Sequence, residues 1–180
     1  MLDLALNHEE ELTNKFRHTW MDDKYKFYYG SNYRWDVELE NKTWDSHDFV
    51  SIKNVMHKGV ITSTDAEVLG YVGYEINRSD EFVHDFAVIS FAKSEEESMV
   101  FVGDLRAAIR DIFEKYNFRR LEWSVIIGNP TEKAFNRMCL RYGGRIVGTY
   151  KNRARLIDGN YYDEKIYEIE KADYDKAIKR

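Results

Sequence analysis

The chain has 180 residues, 43% of them hydrophobic and 15% aromatic, a composition that builds a sizeable core and excludes a disordered or fibrous protein. A formal net charge of −5 argues against a broad nucleic-acid or anionic-membrane surface, because both partners require a basic face. One cysteine allows no internal disulfide, no basic-then-apolar leader opens the chain, and no apolar run approaches the roughly 18 residues of a membrane span, so a cytoplasmic setting without membrane or nucleic-acid partners is expected.

Leu2, Leu4 and Leu6 alternate as a short strand, after which Asn7 can cap a helix whose buried edge is Leu12, Phe16 and Trp20. Residues 22–47 carry Tyr25, Phe27, Tyr28, Tyr29, Tyr33, Trp35 and Trp44 without a clean period and read as short helices and loops. From residue 48 the pattern turns β-like. "DFVSIKNV", "EVLGYVGYEI" and "FVHDFAVISFA" read as three strands, the last two joined as an antiparallel hairpin by the polar link "NRSDE". Leu105, Ala108, Ile109, Ile112, Phe113 and Tyr116 mark a long amphipathic helix ending near Asn117. Leu121, Trp123, Val125 and Ile127 then alternate with Glu122 and Ser124, a strand with one buried face.

"GNPTEKAFNRMCLRYGG" opens the next helix. Asn129 can cap it, Pro130 suits its first turn, and Glu132 completes a capping box. Phe135, Met138, Cys139 and Tyr142 form its apolar stripe, and Gly143 supplies a left-handed stop. "RIVGTY" and "YDEKIYEIE" close the chain as two strands separated by a long excursion with the turn signal "DGN" at its tip. With one proline and no repeat to mark a boundary, residues 1–180 read as a single α/β domain, a mixed sheet flanked by helices.

The five histidines, His8, His18, His47, His57 and His84, lack metal-ligand spacing, so no metal is expected. Cys139 reads as a small buried hydrophobe. Between Asp36 and Asp48 the acids Asp36, Glu38, Glu40, Asp45 and Asp48 face Lys42 alone, with Trp35 and Trp44 among them, a patch suited to a cationic amine.

The text "LEWSVIIGNPTEKAFNRMCLRYGG" followed by "GTYKNRARLIDGNYYDEKIYEIE" resembles the GNAT superfamily of N-acetyltransferases, and more narrowly its ribosomal-protein N-terminal acetyltransferase branch, most clearly over residues 48–170. The resemblance implies a mainly antiparallel mixed sheet splayed between its fourth and fifth strands, with acetyl-CoA as co-substrate in the wedge. It implies transfer of an acetyl group to a primary amine of a small molecule or protein N-terminus, and it allows a homodimer. Ser90, Phe91 and Ala92 would offer backbone to the cofactor, with Asn129 on the opposite wall. The family's phosphate loop, Arg/Gln-x-x-Gly-x-Gly/Ala, is replaced here by "SEEESMVFVGDL", in which Ser98, Val100, Phe101, Val102 and Gly103 would take the loop's place behind three glutamates. Cys139 stands where the family's acid Tyr usually sits, so Tyr142 is the candidate acid. Glu75 and Asp85 are the candidate bases, and strand alternation sends His84 to the face opposite Asp85. The altered loop and displaced Tyr also support an alternative, an inactive GNAT-fold binding or regulatory module.

Overall fold

The computed structural model of the chain describes residues 2–4, 8, 10–12, 14–15, 57–62, 67–156 and 158–179. The expectations for Leu6, Asn7, Phe16 and Trp20, the aromatic-rich stretch 22–47 with its acidic patch, and the strand at 48–55 lie outside the described residues.

Among the described residues a seven-stranded sheet runs in the order β1-β2-β3-β4-β5-β7-β6. Its strands are β1 (Leu2–Leu4), β2 (His57–Thr62), β3 (Val68–Asn77), β4 (Phe82–Ser90), β5 (Arg120–Ile126), β6 (Arg145–Arg155) and β7 (Tyr161–Glu170). Helix α1 (Glu95–Arg110) connects β4 to β5, α2 (Glu132–Arg141) follows β5, and α3 (Lys171–Ile178) follows β7. Every neighbouring pair is antiparallel except β4 with β5, as a helical crossover requires. The mixed, mainly antiparallel α/β sheet is as the sequence predicts.

The β3–β4 hairpin is set by its link. Asn77 Oδ1 accepts from the Asp80 amide at 3.0 Å, and Asn77 Nδ2 donates to Asp80 Oδ2 at 2.9 Å, so one asparagine side chain folds the turn. Strand β2 occupies His57–Thr62, where "HKGVIT" has no period-two signal to betray it. One expectation is corrected. The long excursion between the last strands does not exist: β6 pairs through to Arg155↔Tyr161, and Leu156 N donates to Asn160 O at 3.0 Å around Gly159, whose φ is +82°.

One face of the sheet carries the main core. Val72, Tyr74, Ile76, Val83, Phe86, Leu121, Trp123, Val125, Tyr167 and Ile169 meet Phe101, Ala108, Ile109, Ile112 and Phe113 behind α1, and Phe135, Cys139 and Tyr142 at α2. Trp123 stacks on Tyr167 at 5.0 Å between centroids, with Phe135 edge-on to both. A strict helical period puts Tyr116 on the buried stripe, yet it is exposed. The cause is a π-helical turn over Asp111–Lys115, whose wider pitch rotates the following residue off the core face. On the opposite face Leu12, Val68 and Phe91 form a smaller cluster with Tyr71 and Ile89.

Candidate active site

The parallel junction is short. Strands β4 and β5 pair at Phe82↔Arg120 and Val83↔Leu121 and nowhere beyond. The local cause is a bulge in β4: Gly73 pairs with Ala87 and Glu75 with His84, so Asp85 and Phe86 together oppose Tyr74. Asp85 takes a left-handed φ of +50° to make it. A bulge bends its own strand, and this one sits two residues past the last β5 pairing, where β4 leaves its neighbour. Between the diverging strands lies a wedge-shaped cavity of about 230 Å³, lined by Phe86, Ala87, Val88 and Ile89 on one side and by Ser124, Val125, Ile126 and Asn129 on the other. The sheet is thus splayed between its fourth and fifth strands.

The bulge also overturns one expectation about side chains. Alternation sends His84 and Asp85 to opposite faces, but the left-handed residue breaks the alternation, and His84 Nδ1 lies 2.8 Å from Asp85 Oδ2. His84 Nε2 lies 4.0 Å from Glu75 Oε2 across the hairpin. Glu75, His84 and Asp85 therefore offer ligand atoms all within 4.8 Å of one another, a convergence that the scattered histidine spacing does not reveal. Glu164, which no sequence motif marks, lines the wedge itself, whereas Glu75, His84 and Asp85 stand outside its lining, at the bulge next to Phe86. Glu164 Oε1 accepts from Ser124 Oγ at 2.6 Å, and Arg153 Nε lies 3.6 Å from its Oε2. Its one sequence signal is the β7 alternation; the pairing Ile126↔Glu164 is what brings it beside the wedge.

Asn129 is 7% exposed and lines the wedge. Its Oδ1 accepts from both the amide and the hydroxyl of Thr131, at 2.9 and 2.7 Å, an Asx turn that precedes α2; the helix's N-cap is Thr131, without a side-chain cap bond, so the Asn129 cap that the sequence suggests is not formed. Glu132 reaches back to the Gly128 amide rather than to Asn129, and its carboxylate is also bonded to Lys165. These contacts, Lys165 first, hold the Glu132 carboxyl below its ordinary range.

A second, larger cavity of about 530 Å³ lies between α1 and α2, with Val88 and Ser90 at its floor. It shares Val88, Thr131 and Phe135 with the wedge, so the two spaces adjoin. Ser90, Ser98, Phe101 and Val102 line it. Four residues are placed otherwise. Phe91 is buried in the smaller core with its amide bonded to Leu69 O at 2.8 Å, and the Ala92 amide turns onto Ser90 Oγ at 3.3 Å. Val100 is exposed, and a Cβ built on Gly103 would meet nothing within 4 Å, so that glycine is not needed for a close approach. Each of the four falls outside both cavities because β4 ends at Ser90 and the stripe of α1 facing α2 is 98, 101, 102, 105 and 106.

Tyr142 also stands away from the wedge. It is 8% exposed at the end of α2, stacked on Tyr174 at 5.6 Å, and it lines the larger groove instead. Seven residues separate it from Phe135, about 10 Å along a helix axis. Cys139 is 3% exposed, and burial pushes its thiol up to about 11, which suits packing and not nucleophilic attack.

Neither a protein-family model nor a curated protein matches the chain. Solved structures do. A spermidine N-acetyltransferase SpeG from Vibrio cholerae in complex with CoA and spermine matches with a TM-score of 0.69 at 18% identity, covering 97% of this chain and 96% of that one. Two single-residue mutants of that enzyme match as well, one with a TM-score of 0.73 at 14% identity over 97% and 95% of the two chains, the other with 0.70 at 18% over 97% and 96%. The chain has the GNAT fold of these proteins. They are polyamine acetyltransferases, and the narrower likeness to the ribosomal-protein branch is not supported by them. Among the described residues no helix is long and apolar enough to cross a membrane.

Proposed function

We propose that the chain transfers an acetyl group from acetyl-CoA to a primary amine of a small polycationic molecule of the polyamine class. The observation that carries this reading is the parting of β4 and β5 after Val83 and Leu121, with the wedge it leaves. Pantetheine is a chain of amides, and a strand edge released from its neighbour can pair with it as another strand would. The residues present fit such a guest: strand edges on both walls, apolar Ala87, Ile89 and Ile126 between them, and an adjoining groove for the nucleotide end.

When bound, acetyl-CoA supplies the activated acyl group as a thioester; the chain must deliver a neutral amine to it. Glu164 in the wedge, with Asp85 and Glu75 at the bulge next to its Phe86 wall, provides negative charge to draw in an ammonium group. Asp85 holds Nδ1 of His84 at the bulge beside the wedge, which leaves Nε2 to take one proton through solvent as the ammonium becomes a neutral amine; as that nitrogen bonds to the acyl carbon, the carbon–sulfur bond breaks and the thiolate carries off the nitrogen's second proton. Glu75 and Asp85 thereby act around the imidazole, which is the base. The polyamine class is supported by this acidic surround and by the spermine held by the fold's relative.

The test is thiol release from acetyl-CoA with spermidine, spermine, simple monoamines and a peptide N-terminus as acceptors. Turnover greatest with the polyamines, lowered by about 10²–10⁴-fold in His84→Gln, is the expected result. Turnover only with the peptide would move the acceptor to a protein N-terminus. One observation favours the inactive-module reading, the acidic start of α1, where the Glu97 carboxylate is bonded to the Lys93 amide beside the exposed Glu95 and Glu96. Acetyl-CoA binding without turnover of any amine would establish it, and absence of both would end both readings.

A further inference from the structure

The first turn of α1 is closed by its own side chains. Ser94 Oγ accepts from the Glu97 amide at 3.1 Å, Glu97 Oε2 accepts from the Lys93 amide at 2.6 Å, and Ser98 Oγ donates to Ser94 O at 2.8 Å. Ser94 is the N-cap, and its hydroxyl takes the third amide of the first turn, while the Glu97 carboxylate is held at the amide just before the cap and brings negative charge to the helix start. Glu95 and Glu96 stand exposed beside it. A phosphate approaching here meets carboxylates.

Positive charge lies elsewhere. Arg106 on α1 faces Arg137 and Arg141 on α2 across the larger groove, the last two one helical turn apart. Among the described residues no carboxylate lines that groove, and no ion pair engages any of the three guanidiniums. In a chain of net charge −5, three unneutralised arginines around one apolar slot repel one another until an anion enters. Phe101, Leu105, Ile109 and Met138 are among the apolar residues that line the slot, and a flat heteroaromatic ring can lie on them. The groove adjoins the wedge through Val88, Thr131 and Phe135, so a ligand whose acyl arm enters the wedge has its other end beside the arginines.

We infer that Arg106, Arg137 and Arg141 form the phosphate grip for the nucleotide end of the acyl carrier, in place of the start of α1. Planar guanidiniums bind phosphate oxygens by paired, charge-assisted hydrogen bonds, which backbone amides at a self-capped helix cannot offer. The inference rests on the acyl-transfer reading for the ligand's identity, but its anion chemistry stands independently of turnover.

The experiment compares wild type, Arg106→Gln, Arg137→Gln/Arg141→Gln and the matching lysine variants. Affinities for CoA, 3′-dephospho-CoA and adenosine 3′,5′-bisphosphate are measured by calorimetry, and KM for acetyl-CoA and S-acetylpantetheine by thiol release. The expected result is about a tenfold loss of CoA affinity per arginine removed, partly kept by lysine and weakened by salt. The KM advantage of acetyl-CoA over S-acetylpantetheine collapses in the double variant, and adenosine 3′,5′-bisphosphate binds wild type but not that variant. Wild-type CoA affinity and KM in all the glutamine variants, with turnover intact, would overturn the grip and leave the acetyltransferase standing. Arginine-dependent binding of the bisphosphate without any turnover would support the grip and overturn the enzyme.

Discussion

Gly70 on β3 is the position where the smallest change reaches furthest. A Cβ built there would lie 2.1 Å from Cε2 of Phe101 and 2.6 Å from the carbonyl oxygen of Ile89. The ring of Phe101 lines the groove between α1 and α2 and has room to move only by tilting into it, whereas Ile89 is held in β4 by its pairing with Tyr71. Gly70→Ala therefore overpacks the core at a cost of about 1–3 kcal/mol. For a chain of this size that is a fall in Tm of about 2–12 °C, taking roughly 2–4 °C per kcal/mol. Urea unfolding should show a lower midpoint with an unchanged slope. The ring pushed into the groove should also weaken CoA binding. Adding Phe101→Leu removes the offending ring edge, so the double variant should recover part of the loss, with a coupling energy of about 0.5–3 kcal/mol. A wild-type midpoint for Gly70→Ala, or simple additivity within about 0.5 kcal/mol, would refute this reading of how β3 and α1 meet.

Three further outcomes follow from particular contacts. Glu132 has a lowered folded-state pKa, so its contact with Lys165 adds stability above the ordinary carboxylate value of 4.5 and loses it as pH falls through the lowered one; Glu132→Gln should be less stable than wild type at pH 7 and nearly equal to it at the acid limit, as acid-unfolding curves would show. The Cys139 thiol, raised to about 11 by burial, should react with iodoacetamide at pH 8 only as fast as the domain unfolds, and rapid labelling of the native chain would contradict its packing. Asp85 at φ +50° should tolerate Asn or Gly, while Ala there costs about 1–2 kcal/mol; equal stability of the Ala and Asn variants would mean that the bulge is not held as described.

The elements that sequence made legible are those in which local chemistry and burial agree. The alternation in β5, the Asn77 turn and the α2 stripe each state their conformation within a few residues. Strand β2 was not legible because His57–Thr62 does not alternate and is held by pairing with β1 and β3. The His84–Asp85 contact was hidden because its left-handed residue is an aspartate inside a strand, with no glycine to mark it. Glu164 and the three groove arginines were hidden for another reason: each sits on an ordinary polar face of its own element, and only the apposition of two elements gives that face a purpose. The Tyr116 displacement needed a π turn, which leaves no signature in the hydrophobic period.

The central claim is that the gap between β4 and β5 receives the acyl-bearing arm of CoA. A crystal structure of the chain with CoA measures it directly. The account predicts the pantetheine arm between the two strands, beside Ala87–Ile89 on one wall and Ile126 on the other, with β4 and β5 still paired only at Phe82–Arg120 and Val83–Leu121. Strands hydrogen-bonded to one another past Leu121, or CoA seated away from the wedge, would contradict it.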